Sequence, residues 1–310
     1  MAISLLLAQK IIQLLLIVLA GFAFVKARLL RVEDGIPLSK LVIYLMLPCI
    51  IIASMQVDLT PQLGKGLLFT AAISVVVILL LIFLSYVFGS LFHLQLEDRL
   101  AVAYSNSGNL VIPLVQAVFG NEWVIYVTVF FGIQTVFAWI HLDTRYARKK
   151  VDIRKLLRNN NLVAIYIALA LMLLGIRLPD LIQNTLLTVG NMIGPISMLS
   201  IGITMASVST KNILHNGKAF LTIALRLLVC PAIMILLFRL FRVYTWIPDG
   251  RTVTTIMMIW ITAPVAVIVT QFAVLYHRDA KQASIVNVFS TLLCVLTMPL
   301  MIGLYTALMG

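Results

Sequence analysis

The stretch "AYSNSGNLVIPLV", Ala103 to Val115, decides how this chain folds. Its surroundings are nearly continuous Leu, Val, Ile and Phe, yet it places two Asn, two Ser, a Gly and a Pro within nine residues. Pro113 has no N–H to donate, and in an unbroken helix its ring would clash with the carbonyl of Asn109. Gly108 adds backbone freedom beside it. A membrane-length segment interrupted at its middle must lie inside protein or along a wet cavity, because every unsatisfied backbone group in lipid costs several kcal/mol. The bland alternative is a proline kink, with Asn and Ser as hydrogen-bond glue between helices.

Working outward, 62% of the 310 residues are hydrophobic and 11% are charged, with a mean hydropathy of +1.09. Soluble domains carry about 25% charged residues, so the chain reads as an all-α polytopic membrane protein in a lipid bilayer. At about 20 apolar residues per crossing, ten spans are predicted near 4–25, 38–56, 67–91, 99–119, 122–141, 161–178, 185–208, 217–238, 252–276 and 281–308. The longest polar interval is "DTRYARKKVDIRKLLRNNN", Asp143 to Asn161. It divides the chain into a first five-span half (1–142), a basic cytoplasmic linker (143–160) and a second five-span half (161–310). The N-terminus lacks a basic n-region, so the first span is read as retained.

With that linker inside, 16 Lys and Arg fall in inner loops against five outside, and Lys10 and Arg226 lie within spans. The bias places both termini outside the cytoplasm. It also accounts for the net charge of +12 without nucleic acid. Cys49, Cys230 and Cys294 sit in apolar runs without paired spacing and read as small buried hydrophobes. His93, His141, His215 and His277 form no ligand pattern, and neither metal nor cofactor is expected. No paired intramembrane acids, HExxH or nucleophile–base pattern supports an enzyme.

All eleven acids fall in loops or at span ends, which argues against a cation carrier built on a buried carboxylate. What remains at mid-depth is neutral amides, hydroxyls and the positive N-terminal ends of half-helices, a donor set suited to an anion. Arg226, two to three turns from the inner end of its span, either helps attract an anion or snorkels to the inner surface, and snorkelling is the favoured reading. Span 2 carries "LMLPCIIIAS" and span 7 "MIGPISMLSIG", with Pro48 and Pro195 147 residues apart. Span 4 carries "NLVIPLVQ" and span 9 "WITAPVAVIVTQ", with Pro113 and Pro264 151 apart. Similar offsets in halves that enter the membrane from opposite faces point to an inverted repeat.

These segments carry a family resemblance. "LVIYLMLPCIIIAS", "NSGNLVIPLV", "GPISMLSIGITMAS" and "APVAVIVTQFAVLYHRDAKQASIVNVFSTLLCVLTMP", in that order along the whole chain, resemble the auxin efflux carrier family. That family includes plant auxin exporters and bacterial malate and malonate permeases. The resemblance implies ten helices in two inverted five-helix repeats, with helices 4 and 9 broken and crossing at Pro113 and Pro264. It implies a scaffold domain of spans 1, 2, 6 and 7 that forms a homodimer, and a transport domain of spans 3–5 and 8–10 that moves as an elevator. Asn106 matches a family position that contacts substrate. The short linker and the apolar "FAVLY", Phe272 to Tyr276, depart from plant members and favour a bacterial type in the inner (plasma) membrane.

The expected function is therefore secondary transport, by efflux or exchange, of a small organic anion such as a dicarboxylate or auxin-like carboxylate. A metabolite sensor and a passive anion channel are the alternatives. Asn106 and Asn109, with Ser105 beside them, are expected to bind the anion, with Thr262 and Gln271 facing them from the other half. Gln134 and Asn287 contribute from spans 5 and 10, and Gly108, Pro113 and Pro264 hold the breaks.

Overall fold

A computed structural model describes residues 2–147, 152–206 and 216–309. Arg148, Lys149 and Lys150 of the basic linker, and Lys211 and His215, lie outside the described residues. The described chain is almost wholly helical and contains no strand. In order, the helices longer than five residues are α1 (Ala2–Lys26), α2 (Val32–Ser54), α3 (Pro61–Leu91), α4 (Leu96–Ala103), α5 (Ser107–Phe119) and α6 (Val124–Ala147). The rest are α7 (Asn160–Leu173), α8 (Asp180–Met205), α9 (Gly217–Leu240), α10 (Gly250–Thr262), α11 (Val267–Leu275) and α12 (Ala280–Met309).

Local chemistry starts these helices where they start. The Thr60 hydroxyl accepts from Leu63 N–H ahead of Pro61, and the Asn159 and Asn216 side chains accept from the first turns of α7 and α9. Among the described residues, seven helices are long and apolar enough to cross a membrane. The segments predicted as spans 4 and 9 are each divided into two short helices, α4–α5 and α10–α11. At about 1.5 Å per residue, no one of these four reaches across about 30 Å of hydrocarbon. Helix α6 runs on to Ala147, so Asp143 to Ala147, predicted as loop, continue the helix.

Packing is arranged as a bilayer demands. On α3 the buried face is Gly66, Thr70, Ser74, Val77, Ile78, Leu81, Ser85 and Gly89, while Leu68 and Phe83 are exposed. Small and hydroxyl residues let helices approach, and large apolar ones face lipid. Helix α1 lies against α8 at backbone contact: a Cβ on Gly202 would overlap the Val18 carbonyl, and one on Gly21 would overlap that of Leu199. Helices α1, α2, α7 and α8 pack mainly on one another. Helices α3 to α6 pack with α9 to α12, and α1 also touches α5 and α12 across the seam.

The prolines behave differently from expectation. Pro48, Pro113 and Pro231 each stand two residues after a five-residue π turn, at Val42–Met46, Ser107–Val111 and Leu225–Val229. The wider turn clears the ring and accommodates the missing N–H, so the helix continues. Pro113 and Gly108 therefore do not hold a break; the chain leaves the helix earlier, at Tyr104–Asn106. Pro264 does stand in the break between α10 and α11. The offset of 151 residues between the two prolines is thus not the spacing of the paired breaks.

Candidate functional site

The two breaks meet. Ser105 and Val265 form an isolated antiparallel bridge, in which Asn106 N–H donates to the Pro264 carbonyl at 2.8 Å and Ala266 N–H donates to the Tyr104 carbonyl at 3.0 Å. The backbone groups of the two bridging residues are then held by side chains from the membrane-length helix that comes next after each divided span. From α6, the Gln134 carbonyl accepts from Ser105 N–H at 3.2 Å and its amide donates to the Ser105 carbonyl at 2.8 Å. From α12, the Ser290 hydroxyl accepts from Val265 N–H at 3.0 Å and the Asn287 amide donates to the Val265 carbonyl at 2.8 Å. Every main-chain group freed at Ser105 and Val265 thus has a partner, as a buried break requires.

Arg226 completes the arrangement and corrects the sequence expectation. It is fully buried, with Nη1 donating to the Val102 carbonyl at 3.1 Å and Nε to the Ala263 carbonyl at 3.2 Å. Those carbonyls stand at the C-terminal ends of α4 and α10. Each such end carries about half a negative charge, so two of them together offset about one guanidinium. Among the described residues the one ion pair is Arg177–Asp58 near the surface, so no carboxylate neutralises Arg226. It does not snorkel, because its face of α9 is turned to the crossing and not to lipid.

A cavity of about 80 Å³ lies at the seam between the two helix groups. Ser39 of α2 and Ser197 and Ser200 of α8 line one wall; Asn109, Thr270, Gln271, Ser284 and Asn287 line the other. By chain order these residues, except Asn109, lie between the crossing and the face that carries the basic loops; Asn109, on α5, lies just past the crossing toward the other face. No lining side chain is charged. The Ser197 and Thr270 hydroxyls are buried and have no hydrogen-bond partner. The volume is well below the roughly 300–1,000 Å³ of most ligand pockets, so the seam is nearly closed in this conformation.

A family model described as "Membrane transport protein", that of the auxin efflux carrier family, matches residues 6–146 and 144–302, nearly the whole chain. The chain belongs to that family. It is a membrane transporter. No curated protein matches the chain.

The transporter's predicted site residues divide into three sets. Asn109, Gln271 and Asn287 line the cavity. Ser105 and Gln134 build the crossing, and Gln134 is saturated: its amide also donates to the Ser107 hydroxyl, and its oxygen also accepts from the Ser105 hydroxyl and Trp260 Nε1. Asn106 lies in the crossing too, 5% exposed, and its side-chain amide nitrogen has no partner. Thr262 stands apart, with its hydroxyl turned back on the Met258 and Ile259 carbonyls of its own helix. Gly108 packs toward Phe131 and Leu47. Sequence reasoning missed Ser290 and Trp260, and for Arg226 it favoured snorkelling over a place at the site. For Arg226 a signal existed, since an ionisable residue inside a span is a functional candidate by default.

Proposed function

We propose that the protein is a secondary carrier of a small organic anion, working by elevator-type alternating access around the α4–α5 and α10–α11 crossing. The observation that carries this reading is the Asn106 amide, a buried donor without a partner in the crossing. Buried polar groups are rarely left unpaired, and an uncharged amide donor suits a carboxylate acceptor. The neutral, hydroxyl-rich cavity beside the crossing supports a short polar solute such as a dicarboxylate over a bulky one. The matching way in which each break is held by the helix next after its divided span supports two inverted five-helix repeats. In this reading both termini are extracytoplasmic, and α1, α2, α7 and α8 form the scaffold and the homodimer contact. An inside-negative potential favours anion exit by about 2.3 kcal/mol per charge per 100 mV, so export needs no coupling ion.

The test is transport of labelled malate, malonate and indole-3-acetate by purified protein in proteoliposomes. At least one should show saturable counterflow, and Asn106→Ala should lower its kcat/KM by about tenfold or more while folding is unchanged. Flux without counterflow marks a channel, and unchanged transport in Asn106→Ala removes that amide from the site.

A further inference from the structure

Helix α6 carries a polar stripe that runs past the crossing: Gln134, His141 and Arg145 are seven and four residues apart and share a face. Gln134 holds Ser105, as described above. Two turns on, the His141 imidazole stands between two phenols, with Nδ1 2.8 Å from the Tyr104 hydroxyl and Nε2 2.7 Å from the Tyr86 hydroxyl. The Tyr104 hydroxyl, with one proton to give, stands 2.8 Å from Nδ1 and 3.2 Å from the Phe137 carbonyl. A carbonyl can only accept, so the arrangement that keeps both contacts as hydrogen bonds has Tyr104 donating to Phe137 and Nδ1 bearing the ring proton, with Nε2 as the lone pair that receives the Tyr86 hydroxyl.

This chain of bonds ends in the crossing itself, because Tyr104 is also the residue whose carbonyl accepts Ala266 N–H. The charged groups around it are cations. The Arg145 guanidinium, on the same helix as His141, lies 4.9 Å from the Tyr86 ring centre. Arg99 of α4, which acts electrostatically on Tyr86, donates to the Leu94 and Gly89 carbonyls. Helix α3 contributes Tyr86 and the break contributes Tyr104. A second proton on the imidazole must enter at Nε2, where it displaces the hydrogen bond from Tyr86 and adds a positive charge beside Arg145.

We propose that His141 is a positioning residue for transport: neutral, it holds Tyr104 and the α4 side of the crossing, and protonation at Nε2 from water on the basic-loop side stalls the carrier. The inference rests on the carrier reading above, so one of its tests needs no transport. Protein labelled with ¹⁵N-histidine, compared with His141→Asn to assign the signal, should show Nδ1 protonated and Nε2 bare at neutral pH. The opposite tautomer overturns the proposal.

In proteoliposomes loaded with whichever of malate, malonate or indole-3-acetate is carried, wild-type flux should fall as the basic-loop side is acidified. His141→Asn, whose amide nitrogen overlays Nδ1 and still reaches Tyr104, should keep transport at neutral pH and lose the acid limb. His141→Leu should lose transport at all pH values. Tyr86→Phe frees the Nε2 lone pair and should move the acid limb toward neutrality by about one pH unit. A purely structural histidine predicts superimposable profiles for Tyr86→Phe and wild type, and that result also overturns the proposal. If no panel solute moves, the carrier reading falls, and the nitrogen spectrum alone decides for or against His141.

Discussion

A guanidinium in the interior of a membrane protein needs an explanation at the level of single atoms, and Arg226 has one. Its two hydrogen bonds reach the carbonyls that α4 and α10 leave open where they stop. Arg226→Met keeps the unbranched stem as far as Nε but removes the guanidinium and both bonds, so it should destabilise the fold by on the order of 3 kcal/mol. Arg226→Lys, a point charge without the fork, should recover less than half of that. Thermal unfolding in detergent checks both, and a methionine variant as stable as wild type would disprove the role. Sequence gave the depth of Arg226 but not its azimuth, and snorkelling or anchoring depends on azimuth. Asn106 was legible because its polar neighbours mark an interior segment. The duties of Gln134 and Asn287 were not, since their partners are main-chain groups 29 and 22 residues away that become available only once the helices break.

Among elements, apolar runs of membrane length made most of the helices readable, because nothing but a helix satisfies the backbone across lipid. The position of the first break was not readable from its proline. The π turn before Pro113 absorbs that constraint, whereas Ser105 and Asn106 lie where Gln134 and Arg226 can hold the opened ends. Helix packing depends on small residues more than on hydrophobicity. Gly202→Leu should force α1 from α8 and cost roughly 1–3 kcal/mol, and the same change at Gly217, where a Cβ meets nothing within 4 Å, should be near neutral. Unfolding of the two variants in detergent separates these outcomes. Equal stability would show that the α1–α8 contact yields without strain.

For the whole molecule the question is whether the two helix groups slide. Gln116 of α5 and Asn191 of α8 face each other across the seam, with amide nitrogen and oxygen 2.6 Å apart. Asn216 and Gln282 are a similar pair, 2.7 Å apart, within one group. Gln116→Cys/Asn191→Cys, joined by a short thiol-to-thiol reagent, should abolish transport reversibly, while the Asn216→Cys/Gln282→Cys link should leave most of it. Cys49, Cys230 and Cys294 are free and buried and should not compete for the reagent. Transport that survives the seam link would exclude sliding at that place.

The π turns bear on how such motion is possible. A helix that exchanged one for an ordinary turn would advance its remaining length by about 1.5 Å and rotate it by about 100°. Next to Pro48, Pro113 and Pro231 that exchange is blocked, because the ring cannot supply the amide proton a tighter coil would need. These helices resist ratcheting along their own axes, and under the elevator motion proposed above each bundle would travel intact.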